Sequence, residues 1–580
     1  MKTVYLLLAV FLLSHLQSSA QTWEWTHPEP NGIENTNSNP YLGDETDDAH
    51  DVETDPSGNV YVLGDFNDSL YLNNIFRESG VGSYLAKYDS TGNLLWYKSI
   101  VPTQYDDVHQ KIKATDLTVN AQGVFITGNY FGSYFTSYDC TTGINTGVSF
   151  SYKIGGLNFT SARNDLGLFI TKFNASGNVV WNKTATEDVC ANGGAPGFGS
   201  LNYNPFITSD KNNNIIVSFA LSDFRPSMKI GGDVIPLNGD YYNSGRFLVV
   251  VKYNPNGIFQ WSNYAGGLNS GAIYYPNSMI ADNTRAIYFQ GAANDSCFFG
   301  NQLFRFSDAN TIATYFAKIS SAGTWQFVKE LTNQQSYSAE LSIGNSAYLA
   351  ADISNNIYAL VNASIQNDTV NIGGLKIAPG IGVANTFIVK LDNNGNTRWV
   401  KNFGMGQAAQ AYGVENNASG IYYSGNNLYI TGSLRNYWPV SYNFSKLYVP
   451  STVCGQGMLN SFVAKADTSA DFKWATTFCG AFNNQNFDVA VSGNNVYTCG
   501  YYTSGVDGLG NLNGYFISSG QEHNSFLGKL KDQYIRVSAI SPTSLIPGCT
   551  ITVPFTSTGL TLTAGNTFTV QLSDSSGSFQ

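Results

Sequence analysis

A phrase that recurs six times along the chain constrains the fold more than any other feature of the sequence. In each copy a lysine is followed nine residues later by an aromatic residue, with Gly, Asn or Asp residues between them. The lysines are Lys87, Lys172, Lys252, Lys318, Lys390 and Lys465, and the aromatic residues are Trp96, Trp181, Trp261, Phe327, Trp399 and Trp474. Lys529 begins a seventh copy that has no aromatic residue after it. Because such intervening residues favour tight turns, each copy predicts two strands joined by a turn.

A second strand–turn–strand pattern precedes every copy, as in DPSGNVYVLG at residues 55–64. Its opening residue is Asp, Asn or Ser, whose side chain can hydrogen-bond the backbone two residues further on in a type I turn. The opening residues are Asp55, Asn120, Asp210, Asp282, Asp352, Ser424 and Ser492. Each unit therefore has four strands, named a to d here, with short a–b and c–d turns and a variable b–c connection. Seven units with a period of 64 to 85 residues predict an all-β fold, a seven-bladed β-propeller of four-stranded blades.

Only six d strands follow their c strands along the chain, and the N-terminal segment offers a seventh. Trp23 and Trp25 precede the first a strand and resemble the aromatic part of the recurring phrase. An open ring would leave a sheet edge with unpaired backbone groups. We therefore predict that the strand containing Trp25 pairs with the c strand containing Lys529 and closes the ring. A loose N-terminal tail is the alternative.

The composition agrees with a large β protein and argues against several classes of partner. Aromatic residues make up 14% of the 580 residues, and charged residues make up 12%, about half the usual share. The net charge is −11, and no run of Lys and Arg occurs. Nucleic acid and anionic membrane surfaces are therefore not expected as partners. No cofactor is expected, and the propeller is expected to be monomeric.

Residues 1–20 have the pattern of a secretory signal peptide. Lys2 supplies positive charge, residues 4–13 form an apolar stretch, and Ser18 and Ala20 are small residues at the cleavage site. An N-terminal membrane anchor is the alternative. No later apolar run approaches the ~18 residues that a membrane-spanning helix needs. We expect an exported protein, secreted or at the cell surface, without a membrane span after cleavage.

The repeat also carries a family resemblance. GNVYVLGDF followed by AKYDSTGNLLW resembles the β-propeller repeats of secreted proteins of the Bacteroidetes, and the resemblance covers residues 21–531. Blades 3 and 5 depart from it because they lack the Gly that ends strand b elsewhere. Blade 4 departs because Trp325 stands two residues before Phe327. The resemblance implies the fold and export, and it implies no activity.

The pattern changes over residues 532–580. The stretch resembles the start of the immunoglobulin-like modules that follow propellers in surface proteins of the same bacteria. About three strands can be recognised, whereas such a sandwich has about seven. We expect a truncated β module that does not fold as a complete domain, in a chain that continues beyond Gln580. The resemblance also implies export by type IX secretion.

The variable b–c connections all fall on one face of the predicted disc. This long-loop face is a candidate for binding an unknown protein or glycan, and neutral variation of loop length is the alternative. Export permits disulfides, and two pairs of cysteines occupy parallel places on this face. The candidate pairs are Cys140 with Cys190 and Cys454 with Cys479. Cys499 is a rival partner for Cys479, and Cys297 has no evident partner.

No catalytic or cofactor-binding motif is recognised in the chain. An acidic segment before the first a strand offers oxygen ligands for calcium, although the spacing of a known calcium loop is missing. The calcium candidates are Asp44, Asp47, Asp48 and Asp51. A solvated loop is the alternative.

Two other sets of side chains suggest ligands. A ring of seven lysines could attract a polyanion, but each lysine precedes a turn and a polar residue, which favours a structural, locally paired role. Aromatic residues of one b–c connection, namely Tyr130, Phe131 and Tyr134, are candidates for stacking on sugars.

Two functional hypotheses remain open. The first is an exported, non-catalytic propeller that serves as a binding or scaffold module, because no catalytic constellation is recognised. The second is an enzyme that acts on polysaccharide through carboxylates in the propeller channel. Two carboxylates facing each other in a deep channel pocket would favour the enzyme, and a channel of aliphatic and small residues would favour binding.

Overall fold

The computed structural model describes an all-β chain over part of the sequence. The described residues are 23–28, 47–67, 69–73, 75–103, 111–131, 138–139, 144–145, 150–160, 167–187, 205–221, 227–236, 247–267, 272–307, 312–332, 348–363, 370–377, 385–405, 415–435, 442–444, 447–449, 459–478, 484–503, 510–512, 515–517, 523–537 and 555–558. Over these ranges the structure contains no helix long and apolar enough to cross a membrane.

Seven four-stranded antiparallel units follow one another in the order that the repeat predicts, so the seven-bladed β-propeller is confirmed. The a strands are Ala49–Thr54, Lys111–Asn120, Phe206–Ser209, Ala272–Ala281, Leu349–Ala351, Glu415–Ser424 and Asn484–Ser492. The b strands are Val60–Phe66, Gly123–Phe131, Ile215–Leu221, Ile287–Asn294, Ile357–Ala363, Asn427–Arg435 and Asn495–Thr503. The c strands are Gly82–Tyr88, Gly167–Phe173, Phe247–Tyr253, Ala313–Ile319, Asn385–Leu391, Leu459–Asp467 and His523–Lys531. The d strands of blades 1 to 6 are Leu94–Pro102, Val179–Glu187, Phe259–Gly267, Trp325–Thr332, Thr397–Met405 and Phe472–Phe478.

The blades form a closed ring around a central channel. Each a strand contacts the a strands of the blades before and after it, and the a strand of blade 7 contacts that of blade 1. Apolar side chains fill the spaces between neighbouring blades. Tyr61 and Leu63 of blade 1, for example, are buried in one cluster with Leu117 and Ile126 of blade 2. The core is therefore a series of layers between blades.

The N-terminal segment closes the ring, as predicted. Trp23–Pro28 is the d strand of blade 7 and pairs antiparallel with the c strand of that blade. Trp25 lies opposite Lys529, the pairing expected from the repeat. The Lys529 ammonium also forms an ion pair of 2.7 Å with the carboxylate of Glu24.

The lysine and the aromatic residue of each phrase lie directly opposite each other on strands c and d. In blades 2 and 3 the polar ends of both residues reach the c–d turn of the next blade. In blade 3, Lys252 Nζ and Trp261 Nε1 donate to the Ser321 carbonyl over 3.4 and 3.0 Å. The equivalent pair of blade 2 makes the same two bonds to the Pro255 carbonyl. Six of the seven lysines are buried, which supports their structural role.

The a–b turns use the predicted side-chain hydrogen bonds. Asp55 Oδ1 accepts the backbone N–H groups of Ser57 and Asn59, each over 2.9 Å. Asp210, Asp282 and Asp352 open their turns in the same way. Blades 6 and 7 differ, because Ser424 and Ser492 end their strands beside two-residue Gly–Asn turns.

The Gly that ends strand b is explained by a close backbone approach. A Cβ atom on Gly64 would lie 2.5 Å from the carbonyl oxygen of Asp48, the residue before the neighbouring a strand. Blades 3 and 5 carry Phe219 and Val361 at the equivalent position. Their a strands, with four and three residues, are the shortest of the seven. A bulky residue at this position thus accompanies a shortened inner strand.

Each b–c connection contains a β-hairpin, which the sequence analysis did not predict. The hairpins are Ser69–Leu72 with Ile75–Ser79, Ser151–Ile154 with Leu157–Thr160, Ser227–Ile230 with Asp233–Pro236, Ser296–Phe299 with Gln302–Arg305, Val370–Ile372 with Leu375–Ile377, Tyr442–Phe444 with Leu447–Val449, and Gly510–Leu512 with Tyr515–Ile517. In blades 2, 3, 4 and 6 the hairpin pairs with the d strand of the preceding blade and extends that sheet to six strands. In these four blades the hairpin covers a sheet edge, which gives the length of the connection a structural explanation.

Two short strands follow blade 7 in the chain. Tyr534–Val537 pairs antiparallel with Phe555–Thr558. These strands are the described part of the segment that resembles an immunoglobulin-like module. The assignment of residues 532–580 to such a module stays a prediction.

Candidate site in the central channel

One position of the repeat lines the channel cavity in five of the seven blades, whereas its equivalents Tyr348 and Gly420 are not part of the lining. It lies four residues before the residue that opens the a–b turn, and in five blades a β-bulge directly precedes it. The seven residues are Asp51, Asp116, Phe206, Ser278, Tyr348, Gly420 and Asp488. Aspartate thus occupies this position in the three consecutive blades 7, 1 and 2. The other four blades carry no carboxyl group there.

The channel holds a cavity of about 280 Å³ that has an acidic side and an apolar side. The acidic side carries the carboxyl groups of Asp51, Glu53, Asp116 and Asp488, all from blades 7, 1 and 2. Val52, Leu117 and Val489 lie beside these carboxyl groups, and blades 3 to 6 add apolar and aromatic lining without any carboxyl group. This added lining includes Phe206, Met279, Ile280, Leu349, Ile421 and Tyr422. The division follows from which blades carry aspartate at the channel position.

The three aspartates also join neighbouring blades. Each accepts the backbone N–H of the residue that follows the channel position in the next blade. Asp488 Oδ2 accepts from Val52 over 3.2 Å, Asp51 Oδ2 from Leu117 over 2.7 Å, and Asp116 Oδ2 from Ile207 over 2.6 Å. The acidic side of the channel is therefore rigidly held by bonds across three blade boundaries.

Crowding and burial keep these carboxyl groups protonated at higher pH than usual. Burial, together with the nearby Asp116, raises the pKa of Asp51 well above its ordinary value. Burial and the Asp51 carboxyl raise the pKa of Asp488. Burial raises the pKa of Asp116 to about 7. Asp51 interacts with both neighbouring carboxyls, so the titrations of the three groups depend on one another.

Glu53 differs from the three aspartates. Its side chain has no hydrogen-bond partner in the described part of the chain, and it is partly exposed to the cavity. Burial and the charge of Asp488 raise its pKa to about 8. Tyr422 lines the same cavity, and burial with the nearby Glu53 and Asp488 raises the pKa of its hydroxyl. At neutral pH Glu53 is therefore a proton donor that faces the cavity.

The cavity lies in the half of the channel next to the a–b turns, because its lining residues stand one to four positions before the residue that opens each turn. The sequence analysis placed a ligand on the opposite face, where the b–c connections lie. Much of that face falls outside the described residues, so a ligand there stays a prediction. The cavity is a site that the sequence analysis did not locate.

The calcium candidates do not assemble into a site among the described residues. Asp47 accepts the backbone N–H of Asn67, while Asp51 faces the channel and accepts the N–H of Leu117. Asp44 lies outside the described residues. Across the described ranges, no group of three His, Cys, Asp or Glu side chains is arranged to hold a metal ion. The calcium hypothesis gains no support.

The cysteine predictions are tested only in part. The four cysteines of the candidate disulfides, Cys140, Cys190, Cys454 and Cys479, lie outside the described residues. Cys499 is buried and free, so its rival pairing with Cys479 is not formed. Cys297 is also buried and free.

The three aromatic residues of blade 2 that were predicted to stack on sugars differ in their positions. Tyr130 is buried, donates to the Ala185 carbonyl over 2.8 Å and stacks on Phe150. It belongs to the core, and its candidacy for stacking on sugars was wrong. Phe131 ends strand b of that blade, and Tyr134 lies outside the described residues.

The channel aspartates could have been found in the sequence. When the repeats are aligned on the residue that opens the a–b turn, Asp51, Asp116 and Asp488 fall at one position. Asp51 also stands within a local acidic segment of the sequence, which obscures its place in the repeat. Glu53 has no such signal, because its equivalents in the other blades are not acidic.

No protein-family model and no curated protein matches the chain. Among solved structures it is similar to polysaccharide lyase Uly1, with 11% identity and a TM-score of 0.41 over 89% of this chain and 98% of that one. It is also similar to the Phage phi92 endosialidase, with 8% identity and a TM-score of 0.36 over 93% of this chain and 77% of that one. The exotype rhamnogalacturonan lyase YesX follows with 13% identity, a TM-score of 0.24, and coverage of 70% and 73%. Similarities at this level carry no argument about activity.

Proposed function

We propose that this chain is an exported, non-catalytic propeller that binds a saccharide in its central channel. The observation that carries the proposal is the two-sided cavity, with four carboxyl groups on blades 7, 1 and 2 and apolar and aromatic side chains on blades 3 to 6. A sugar ring has hydroxyl groups at its edge and apolar C–H groups on its faces. Protonated and ionised carboxyls together donate to and accept from hydroxyls, while Phe206 and Tyr422 offer apolar contact.

The four channel carboxyls lie side by side on the adjacent blades 7, 1 and 2 and do not oppose each other across the cavity, and the engagement of the aspartates also supports binding over catalysis. Asp51, Asp116 and Asp488 each hold the backbone of the next blade. A carboxylate that is fixed in this way cannot move to follow a reacting group without breaking a bond between blades. The acidic side is therefore a preformed surface, which suits recognition of a ligand.

Catalysis on polysaccharide is a second candidate, and Glu53 is the observation that favours it. Its carboxyl faces the cavity without a bond to the backbone, and its raised pKa keeps it protonated at neutral pH. Such a group can donate a proton to a leaving oxygen.

Export, a surface or secreted location, and the type IX route are part of the proposal. They rest on the signal peptide pattern of residues 1–20 and on the resemblance to secreted Bacteroidetes repeats. The immunoglobulin-like nature of residues 532–580 rests on the same resemblance.

A glycan and protein array probed with the purified protein tests the proposal, followed by titration of the best oligosaccharide. We expect Phe206→Ala to weaken binding about tenfold, because an aromatic wall of the cavity is lost. Glu78→Gln, on the outer hairpin of blade 1, is the control and should bind like the parent protein. Unchanged binding by Phe206→Ala would contradict a channel site. Glycan cleavage that Glu53→Gln abolishes while binding remains would establish the enzyme instead.

A further inference from the structure

The d strand of blade 7 is the N-terminal segment Trp23–Pro28, which reaches its place from the opposite end of the chain. In blades 1 to 6 strand d follows strand c through a turn of a few residues. Here strand c ends at Lys531, some five hundred residues from Trp23 along the chain. The two strands are therefore held together by contacts and not by a connecting turn.

The contacts that hold this strand are those by which a sheet edge binds a peptide. The backbone pairs with strand c over Trp23 to Pro28, opposite Leu530 to Phe526. Such pairing supplies affinity with little regard to sequence, and pockets for alternate side chains supply specificity. Both elements are present on blade 7, because two side chains of the strand have their own partners.

Glu24 and Trp25 are the side chains that select the occupant. The Glu24 carboxylate pairs with Lys529 Nζ at 2.7 Å and with Lys531 Nζ at 3.3 Å. The nearby lysines lower the pKa of Glu24, so the carboxylate stays charged. The Trp25 ring lies 6.1 Å from the Tyr497 ring and packs against the apolar layer between blades 7 and 1.

We propose that the edge of strand c in blade 7 is a peptide-binding site for an extended segment with an acidic residue followed by tryptophan. In this chain the N-terminal strand occupies the site, and a separate peptide of the same pattern can replace it. The attached strand competes with an effective concentration in the millimolar range, so exchange requires that its tether be cut. Once the tether is cut, the site offers an attachment point for another polypeptide at the edge of blade 7.

A full-length protein with a site-specific protease sequence inserted after Gly32 tests the proposal. The folded protein is cut, and a fluorescent peptide with the sequence of residues 21–32 is added. Anisotropy follows binding, native mass spectrometry gives the stoichiometry, and circular dichroism reports whether the propeller stays folded. Peptides with Trp25→Ala or Glu24→Lys and a scrambled peptide serve as comparisons.

We expect one labelled peptide to enter each cut chain and to displace the original segment, with no entry into uncut protein. The Trp25→Ala peptide should bind about tenfold more weakly, and the scrambled peptide should not bind. Retention of the original segment until the whole propeller unfolds would overturn the proposal. Equal binding of the scrambled peptide would overturn it too, as would unfolding on cutting without rescue by added peptide.

Discussion

The Trp474 indole donates a 2.9 Å hydrogen bond to the side-chain carboxylate of Asp532, whereas the equivalent indoles of blades 1 to 3 donate to a backbone carbonyl. Blade 7 has no c–d turn, because its d strand comes from the N terminus. Asp532 replaces the missing turn and also accepts from Lys465 over 2.5 Å and from Tyr429 over 2.7 Å. The propeller therefore includes Asp532, one residue beyond the boundary drawn from the sequence.

Removal of this carboxylate should destabilise the ring strongly. In Asp532→Ala the Lys465 ammonium, whose side chain is 3% exposed, loses its ionic partner. We expect a loss of about 3–5 kcal/mol in the free energy of unfolding, the usual cost of an unpaired buried charge. Asp233→Ala is the matched control, because it breaks a partly exposed pair with Lys183 and should cost about 0–1 kcal/mol. Urea denaturation measures both, and similar losses would contradict this role of Asp532.

The channel carboxyls should make the protein less stable as pH rises from about 4 to about 8. Asp116 and Glu53 keep their protons to about pH 7 and 8 in the folded protein, while the unfolded chain releases them near the ordinary values of 3.8 and 4.5. The folded state therefore binds more protons across this window, and its stability falls as they are lost.

The variant Glu53→Gln tests this pH dependence, because its side chain stays neutral. Thermal unfolding from pH 4 to pH 9 should show a shallower decline than in the parent protein and a higher Tm above pH 8. If the Tm of the variant and the Tm of the parent protein change in parallel with pH, Glu53 does not contribute to the pH dependence of stability. Glu78→Gln, outside the channel, should reproduce the parent curve.

Gly323 of the c–d turn in blade 4 should not tolerate a side chain. Its φ is +85°, and a Cβ atom would lie 2.7 Å from the Trp261 ring of blade 3. Gly232 has φ +92° with no atom within 4 Å, so Gly232→Ala isolates the backbone strain from the steric clash. We expect Gly232→Ala to cost about 1 kcal/mol and Gly323→Ala clearly more, since only the latter displaces the indole. If chemical denaturation shows equal losses in the free energy of unfolding for the two variants, the Trp261 indole moves aside freely and the predicted clash is wrong.

Limited proteolysis should separate the propeller from the segment after it. The sequence indicates that residues 532–580 hold too few strands for a complete sandwich, so their apolar faces lack a covering sheet. We expect cuts between residues 533 and 548 and a compact product that retains Asp532. A resistant product that retains Gln580 would show that this segment docks on the propeller.

The repeat predicted the architecture because its signals are local. The nine-residue spacing of Lys252 and Trp261 reflects a turn and two strands, and every blade repeats it. The non-local pairing of Trp25 with Lys529 could also be predicted from the repeat. Blade 7 lacks a fourth strand, and the N-terminal segment has to supply it if the ring is to close.

The channel site was harder to predict because it depends on which blades are neighbours. Glu53 and Tyr422 are far apart in sequence and meet only when blades 1 and 6 surround the same cavity. The raised pKa values arise from burial and from the proximity of Asp51 to Asp488. This proximity cannot be recognised from the sequence around either residue. The hairpins in the b–c connections were missed for a different reason: Gly155 and Gly156 in the left-handed region were not recognised as a two-residue turn.

The structure of the protein in complex with the oligosaccharide selected on the array tests the central claim most directly. The account predicts one sugar ring in the channel, with its face against Phe206 or Tyr422 and its hydroxyls within hydrogen-bond distance of Glu53 and Asp488. A saccharide bound on the b–c face or at the outer hairpins, with an empty channel, would contradict it.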